Sequence, residues 1–406
     1  MDKKFDVIIV GAGPAGAACS LFLAEKNLSV LLLDKASFPR NKTCGDGISG
    51  KSVSILKELN LSEKIELNSH KKIFGAIISS PNGEQAEIPI SQEQGKKYAY
   101  CCERKIFDNL LFEEAKKKFS VIEEFNATDL IIENNFVTGI KGIHKKKEEM
   151  EFKSKIVVGA DGANSIIAGK LNLKRNDSNH LALAARAYYE NVAGLSDSIE
   201  LHFLNELIPG YFWIFPLGQG KANVGLGIVS KYIKKNKINL VEKLEEIISK
   251  NEKISRRFLK AERVSEIKGW SLPLGSVNQK KTFNGALLLG DAASLIDPFT
   301  GEGIGNALLS AKIASKAIEE AVQSNDFSEK ALSKYEKELK QSLEGEMKNS
   351  HLIQKALTNK FLINFLVNQA KKNQAVRKTI SSMLTEEAPQ AKVTPLKALK
   401  MLLFKK

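Results

Sequence analysis

The sequence predicts an α/β fold: a dinucleotide-binding domain of Rossmann type, interrupted by a second, α+β domain built on an antiparallel sheet and followed by a helical C-terminal region. Three observations carry this prediction. A strand, a glycine-rich turn and a helix open the chain, strand-like alternation dominates two later blocks, and the final segment is helical in pattern. We expect the nucleotide domain to comprise residues 1–70, 96–175 and 275–325. The substrate-binding sheet domain is expected at residues 71–95 and 176–274, and the helical region at residues 326–406.

The opening unit carries the strongest motif. Apolar residues 5–10 end at GAGPAG (11–16), a helix-forming run follows, and a second apolar run ends at Asp34. That acid lies close to the spacing of about 20 residues expected after a GxGxxG turn. Gly11 permits the turn, Gly13 lets N–H groups approach a pyrophosphate, Gly16 lets the helix pack closely, and Asp34 can accept hydrogen bonds from a ribose. The unit predicts NAD or FAD, whereas the second GxGxxG match, at 45–50, has no preceding strand and is interpreted as a loop.

Later elements follow from the spacing of apolar residues. Alternation over 73–90 predicts antiparallel strands with a turn at 81–83, and residues 130–143 predict a hairpin. Helical periodicity occurs near 52–59, over 104–119 and 231–261, and again over 306–322. Strand-like apolar segments predict further strands at 156–160, 181–189, 198–203, 211–215, 223–229 and 286–289.

Composition excludes several classes of protein. The chain has 406 residues, 43% of them hydrophobic, and no apolar run approaches the ~18 residues of a membrane span. The early strand argues against a secretory signal. Four scattered cysteines and five histidines show no zinc-ligand spacing, so we expect no metal site, a reducing cytoplasmic location, and packing roles for Cys19, Cys101 and Cys102.

The C-terminal fifty residues concentrate positive charge. The whole chain carries a net charge of +14, and residues 357–406 contain ten Lys or Arg and two Glu. Apolar clusters at 361–367 and 399–404 interrupt this basic segment. It is interpreted either as an amphipathic surface that rests on anionic lipid at the inner face of the membrane, or as a helical appendage with a solvated lysine face. No nucleic-acid-binding motif is present.

Two further motifs distinguish FAD from NAD. GADGANS (159–165) and GDAA (290–293) each follow a predicted strand, and the latter leads into DPFTGEGIGN (297–306). With the N-terminal turn, these motifs resemble the three signatures of para-hydroxybenzoate-hydroxylase-like FAD enzymes. The resemblance places Asp291 at the ribityl chain and pyrophosphate and Asp161 beside the flavin. Gly301, Gly303 and Gly305 at a helix start are expected to leave N–H groups bare toward the flavin ring, which would favour its reduced anion.

Within that superfamily, the sequence resembles the geranylgeranyl reductase family over most of residues 1–310. YFWIFP (211–216) is similar to the family's YxWxFP motif, KTCGDGI (42–48) to its CGxG loop, PFTGEGI (298–304) to its P-x-TGEGI loop, and RKIFD (104–108) to its R-x-x-F-D helix start. The FAD-contacting set implied by the motifs and the resemblance is Gly11, Gly13, Pro14, Ala15, Gly16, Asp34, Lys35, Arg40, Cys44, Gly45, Arg104, Asp161, Gly290, Asp291, Gly301, Gly303 and Ile304.

The resemblance implies reduction of isolated C=C bonds in the isoprenoid chain of a lipid, a quinone or a related prenyl compound. Such an alkene is unpolarised, so hydride addition needs assistance from protonation that develops tertiary carbocation character. Tyr211 and Trp213, two residues apart on one strand face, are candidates to line an apolar slot with electron-rich rings. Cys44 is a candidate proton donor or gate. The alternative interpretation of Tyr211 and Trp213 is that both rings only pack in the core of the sheet. The alternative for Cys44 is a turn cysteine with no special reactivity.

Other functions on the same scaffold stay open. A monooxygenase that hydroxylates a hydrophobic substrate would share the motifs. Flavin halogenases carry WxWxIP, where this chain has Tyr211, Trp213, Phe215 and Pro216, which argues against halogenation. A third interpretation is a flavoprotein that only carries electrons or tethers to lipid. Because a second dinucleotide turn is missing from the sequence, the expected electron donor is either NAD(P)H bound transiently or a reduced ferredoxin-like protein steered by the basic surface.

Overall fold

The computed structural model describes residues 4–89, 98–173 and 177–385. Its strands are β1 (Lys4–Val10), β2 (Val30–Leu33), β3 (Gly47–Ile48), β4 (Lys71–Ile73), β5 (Gly75–Ser79), β6 (Gln85–Pro89), β7 (Ala99–Cys101), β8 (Ser120–Ile122), β9 (Phe125–Glu133), β10 (Phe136–His144), β11 (Glu148–Gly159), β12 (Leu181–Glu190), β13 (Ser198–His202), β14 (Tyr211–Gly218), β15 (Lys221–Val229), β16 (Glu262–Arg263), β17 (Lys268–Pro273), β18 (Thr282–Phe283) and β19 (Ala286–Leu288).

The helices lie between and after these strands. They are α1 (Pro14–Leu23), α2 (Gly50–Glu58), α3 (Ser62–Glu66), α4 (Arg104–Lys116), α5 (Ile166–Lys170), α6 (Ser230–Asn236), α7 (Leu240–Lys250), α8 (Glu252–Ser255), α9 (Ile304–Ser324), α10 (Glu329–Ala356), α11 (Lys360–Lys372) and α12 (Gln374–Thr385), with short 3₁₀ turns at Arg256–Phe258 and Gly290–Ala293.

The first large sheet is built on parallel strands. Its order is β18-β19-β11-β1-β2-β8, and β9 and β10 extend it from β11 as an antiparallel hairpin. Val7 of β1 pairs with Val30 and Ile156 on either side. These strands are apolar along most of their length because α1 packs on them and α9 packs on α1 in the same core. The predicted βαβ unit and the hairpin turn, with positive φ at Asn134 and Asn135, are confirmed.

The second large sheet has the order β16-β12-β15-β14-β13-β5-β6, with β17 also on β12. The predicted antiparallel sheet is confirmed, with one pairing that departs from it: β13 pairs with β5 in parallel, Ser198 opposite Gly75. Residues 71–73 also differ from expectation: β4 pairs with β7, and β7 with β3, in a separate three-stranded sheet. The loop expected at 45–50 therefore contains a short strand, and α2 begins at Gly50 rather than near residue 52.

The C-terminal segment is helical where the structure describes it. Helix α10 buries Leu332, Tyr335, Leu339 and Leu343, spaced three and four residues apart, against the main core. Helices α11 and α12 pack with β5 and β6 in a smaller apolar cluster. The apolar cluster predicted at 399–404 lies outside the described residues. None of the helices in the described ranges has the length and apolarity needed to cross a bilayer.

The fold brings distant motifs to one edge of the first sheet. Gly11, Asp34, Ala160 and Gly290 all come directly after or near the carboxyl ends of its parallel strands. The carboxyl edge of an open parallel sheet is where ligands bind. The second sheet faces this edge through residues of β12, β13, β14 and β17, so a cavity forms between the two sheets.

Candidate active site

A cavity of about 1300 Å³ lies between the two large sheets. Most of the residues predicted to contact cofactor or substrate line it: Gly11, Gly13, Pro14, Ala15, Asp34, Lys35, Arg40, Cys44, Gly45, Arg104, Asp161, Tyr211, Trp213, Asp291, Gly301, Gly303 and Ile304. Gly16 and Gly290 do not line it. The structure thus gathers three separated stretches of sequence around one space, while two of the predicted glycines have packing roles.

The turn at 11–16 has a backbone geometry that suits anion binding. Gly11 has φ +103°, and a Cβ there would lie 2.4 Å from the Ala160 carbonyl oxygen. A Cβ on Gly16 would lie 1.8 Å from the Gly11 oxygen, so Gly16 allows the helix–turn contact rather than meeting a ligand. Helix α1 starts after Gly13 with no side-chain cap, and its first turn lines the cavity. Uncapped N–H groups there suit a pyrophosphate.

Asp34 holds the turn as well as facing the cavity. Its Oδ2 accepts a hydrogen bond from the Ala12 amide at 2.7 Å, and its Oδ1 accepts one from the Ala36 amide at 2.9 Å. Each carboxylate oxygen has a second lone pair for a ribose hydroxyl. The expected ribose contact therefore stays a prediction, joined to a structural role that the sequence did not reveal.

A buried charge cluster lies beside the turn. Arg104 donates two hydrogen bonds to Asp108, at 2.6 and 2.8 Å, and Arg40 Nη1 lies 3.0 Å from the same carboxylate. Burial alone would lower the pKa of Arg104, but the hydrogen-bonded Asp108 carboxylate and the nearby Cys44 side chain raise it above its ordinary value. Two cations on one anion leave net positive charge next to the cavity, which favours an anionic cofactor.

The loop before α9 departs from expectation. Gly301 donates its N–H to the Asp297 carbonyl at 3.1 Å, and Gly305 donates to Glu302 Oε1 at 2.5 Å. The expectation that both amides are bare is wrong: the Asp297 carbonyl pairs with the Gly301 amide, and Glu302 supplies the cap that the buried start of α9 requires. Gly301, Gly303 and Ile304 still line the cavity, and Gly301 has φ +74° with room for little beyond hydrogen: a Cβ would lie 3.2 Å from the Tyr211 hydroxyl.

The two remaining motif acids differ in their surroundings. Asp161 Oδ2 accepts hydrogen bonds from the Ile166 and Ile167 amides, at 2.7 and 3.3 Å, while its Oδ1 is buried without a partner among the described residues. Burial raises the pKa of the Asp161 carboxyl. Asp291 lies 3.7 Å from Lys42 Nζ across the cavity rim. An orphaned buried oxygen at Asp161 fits a site that a hydrogen-bonding ligand completes.

The wall of the cavity formed by the second sheet is aromatic and apolar. Tyr211 and Trp213 contact each other edge to face, with ring centres 6.2 Å apart. The Tyr211 hydroxyl donates to the Thr300 carbonyl at 2.6 Å, and burial raises the pKa of Tyr211. The Tyr211 hydroxyl proton is therefore hydrogen-bonded to the loop before α9, and the aromatic ring is the part of Tyr211 that faces the cavity. Apolar side chains continue the wall: Ile73, Ala76, Ile88, Ala184, Ile199, Leu201, Phe215 and Leu272.

Sequence reasoning missed several polar residues of the site. Asp46 and Asn223 are fully buried, hydrogen-bond each other at 2.8 Å, and connect to Tyr188 and Trp213. Asp46 lies inside the quoted CGDGI loop, but nothing local indicated a partner so far along the chain. At another wall, Lys51 binds Asn306 at 2.8 Å and Glu346 at 3.0 Å, which joins α2 to α9 and α10.

The fold and the site together define a flavoprotein oxidoreductase: an uncapped helix start, an acid at the end of β2, flanking cations and an aromatic pocket all fit FAD. A family model described as "FAD binding domain" matches residues 4–350. The chain is similar to a digeranylgeranylglycerophospholipid reductase of Methanosarcina acetivorans, with 34% identity over 369 residues, 88% of this chain and 86% of that protein. A relative of the same name from Methanocaldococcus jannaschii is 33% identical over 84% of this chain and 83% of its own length.

The chain belongs to the geranylgeranyl reductase family and is an FAD-dependent oxidoreductase. Among solved structures, a geranylgeranyl bacteriochlorophyll reductase-like protein of Thermoplasma acidophilum superimposes with a TM-score of 0.85 and 27% identity, covering 98% of this chain and 100% of that one. A flavin-dependent brominase superimposes with a TM-score of 0.80 and 21% identity over 98% and 97% of the two chains. The second likeness shows the shared fold alone.

Proposed function

We propose that this protein saturates C=C bonds in the isoprenoid chains of a prenylated glycerophospholipid. The observation that carries the proposal is the apolar wall around Tyr211 and Trp213, which continues directly from the predicted flavin site. The names of the two archaeal relatives support the substrate class. An unbranched polar substrate would leave this wall unfilled, whereas a prenyl chain buries apolar surface along it.

Each side chain has a distinct part in this proposal. FAD, held by the turn at 11–16, Asp34 and the Arg40–Arg104 cations, would supply the hydride that one carbon of the alkene accepts. The Cys44 thiol supplies the proton to the other carbon, so that one hydride and one proton saturate one double bond. Proton transfer leads and develops cationic character on the alkene carbon that does not receive the proton, which the Trp213 and Tyr211 rings face and stabilise until that carbon accepts the hydride. The buried guanidinium of Arg104, which lines the same cavity, balances the negative charge that remains on the Cys44 sulfur.

The direct experiment is anaerobic. Photoreduced enzyme is mixed with a digeranylgeranylglycerol phospholipid, flavin absorbance is followed, and the lipid is analysed by mass spectrometry. The proposal expects flavin reoxidation and a gain of two hydrogens per saturated bond. Reoxidation that needs oxygen and yields hydroxylated lipid or peroxide would support the monooxygenase alternative instead.

We further propose NAD(P)H as the electron donor. Arg186 Nε and Trp270 Nε1 are buried without hydrogen-bond partners among the described residues, and both residues line the cavity together with Lys42 and Lys268. Lys42 Nζ lies 5.2 Å from the centre of the Trp270 ring. Cations and an aromatic face suit a planar, phosphorylated reductant. Anaerobic stopped-flow reduction by NADPH, and its slowing in Lys268→Ala, is the test; reduction by a ferredoxin alone would overturn it.

Peripheral membrane contact through the C-terminal helices is also proposed. Phe361 is 72% exposed at the start of α11, and Leu352 is 55% exposed near the end of α10. Lys355 and Lys360 lie exposed between them in sequence. Apolar side chains beside lysines at a helix–helix turn suit an anionic bilayer surface.

The same helices reach the cavity, which links membrane contact to substrate entry. Ser381 on α12 donates a hydrogen bond to the Pro89 carbonyl at 2.6 Å, and both residues line the cavity. Phe361→Ser is expected to weaken cosedimentation with anionic vesicles, whereas Leu259→Ser, at a residue 81% exposed on another segment, is the matched control. Equal binding by both variants would remove α11 from the contact.

A further inference from the structure

One fully buried amide, Asn223 on β15, joins the two sides of the active site. Its Nδ2 donates to the Cys44 carbonyl at 2.7 Å and to Asp46 Oδ2 at 2.8 Å. Its Oδ1 accepts from Trp213 Nε1 at 2.9 Å. The Cys44 loop belongs to the flavin side of the cavity and Trp213 to the substrate side, so Asn223 bridges them directly.

The chemistry of the partners fixes the orientation of this amide. The indole N–H can only donate, and the Cys44 carbonyl can only accept. A flipped amide would oppose donor to donor at Trp213 and acceptor to acceptor at Cys44. Neither Asp, which has no donor when ionised, nor Leu, which has no polar atom, could make all three bonds. Asparagine is therefore the side chain that this junction requires.

The loop side of the bridge is held from more than one direction. Asp46 has φ +67°, and its Oδ2 also accepts a hydrogen bond from the Tyr188 hydroxyl at 2.8 Å. Its carbonyl accepts the Cys102 amide at 3.0 Å. Gly45 lies against the Phe215 ring, where a Cβ would come within 3.3 Å. The loop at 44–47 therefore packs closely against Phe215 of β14, and Asn223 holds its backbone through the Cys44 carbonyl.

The indole side has equally little freedom. A Cβ on Gly225, which pairs with Trp213 in the sheet, would lie 2.3 Å from Trp213 Cζ2. The indole therefore lies directly over the β15 backbone, and its N–H points at Asn223. Rotation of the ring would break the hydrogen bond to Asn223 and leave a buried N–H unpaired, which is costly.

We propose that Asn223 is a positioning residue that fixes the Cys44 loop relative to Trp213, with Asp46 as its anchor. Losing the bridge would leave the flavin site intact but would let the thiol and the indole move independently. This inference rests on the proposed roles of Cys44 and Trp213 in alkene reduction. Its test therefore includes a readout that does not depend on substrate.

The sharpest variant is Asn223→Asp (N223D), because it makes the bridge depend on pH. The new carboxyl would face Asp46, and two carboxyls at hydrogen-bond distance share one proton at low pH but repel when both ionise. In the singly protonated form, one oxygen can still accept from Trp213 while the shared proton replaces the amide donor. The charged or titratable groups that face this pair from neighbouring elements are Arg104, Arg186, Tyr188, Cys44, Cys101, Cys102 and Glu103.

The expected result is a ratio of N223D to wild-type kcat that falls about tenfold or more between pH 5 and pH 8, with FAD absorbance unchanged. A merely structural role for Asn223 would lower the ratio equally at every pH, and that outcome would overturn the proposal. Asn284→Asp is the matched control, since the Asn284 amide also bridges two segments, Asn135 and Glu329, but is bonded to neither the Cys44 loop nor Trp213. Its ratio should not change with pH.

A second measurement keeps the inference separate from the proposed reaction. The chain has two tryptophans, so ¹⁵N-indole NMR gives two signals, and Trp270→Phe assigns the one from Trp213. The Trp213 N–H should exchange slowly in the wild type and at least about tenfold faster in Asn223→Ser. Unchanged exchange would refute the bridge even if alkene reduction were established, whereas faster exchange without any reductase activity would refute only the proposed function.

Discussion

Replacing Asp46 by Asn is expected to remove a large pH dependence of stability. The Asp46 carboxyl is fully buried, and burial raises its pKa from the ordinary 3.8 to about 6, although Arg186 and hydrogen bonds from Asn223 and Tyr188 oppose the shift. A shift of about two pKa units corresponds to about 3 kcal/mol between the protonated and ionised forms. Because the folded-state pKa lies above the unfolded one, this contribution to stability is complete below pH 3.8 and is lost as pH rises through about 6.

The wild-type protein should therefore lose stability relative to Asp46→Asn over that window. The difference in free energy of unfolding, variant minus wild type, is expected to rise by about 2–3 kcal/mol between about pH 4 and pH 7, since part of the change is already complete at pH 4. The new amide also leaves a buried N–H near the unpartnered Asp46 Oδ1 position, which adds an offset that does not vary with pH.

The assay is urea-induced unfolding of the FAD-saturated protein, followed by far-UV circular dichroism at several pH values. Asp177→Asn, at an exposed carboxyl, is the control and should show no such rise. A variant-minus-wild-type difference that stays constant across the window would refute the assignment of a raised pKa to Asp46, and with it the burial of the Asp46–Asn223 junction as its cause.

Three further predictions follow from the site. Gly16→Ala should lower the free energy of unfolding by about 3 kcal/mol in urea unfolding, because its Cβ would meet the Gly11 oxygen. Gly169→Ala is the control and should be tolerated, since nothing lies within 4 Å of the new Cβ. Asp34→Ala should weaken FAD binding about tenfold or more in titration of the apoprotein, and unchanged affinity would count against a ribose contact. Cys44→Ala should lower anaerobic kcat by about 10²-fold or more with an unaltered flavin spectrum, and an unchanged rate would exclude it as proton donor.

The sequence predicted those parts of the fold that are local. The βαβ unit, the hairpin at 134–135 and the strand carrying Tyr211 and Trp213 each follow from short-range periodicity and turn chemistry. The parallel pairing of β13 with β5 could not be read in the same way, since its partners lie more than a hundred residues apart and both strands alternate as antiparallel strands do.

The site was predictable only where a motif is contiguous. GAGPAG, GADGANS and TGEGI carry their own chemistry, so most of their residues line the cavity. The amides of Gly301 and Gly305 were misjudged because the acceptors Asp297 and Glu302 depend on how the loop folds back. Asn223 and Cys44 are 179 residues apart, and an isolated Asn in a strand gives no local sign that it bridges a loop and an indole.

The central claim is that this cavity brings a reducing flavin against an isoprenoid chain. Its most direct test is single-turnover reoxidation of the photoreduced protein by a digeranylgeranylglycerol phospholipid under strictly anaerobic conditions. The proposed function predicts flavin reoxidation at a rate that depends on lipid concentration, matched by one saturated double bond per flavin. Flavin that stays reduced with this lipid, yet reoxidises at once when oxygen is admitted, would contradict it.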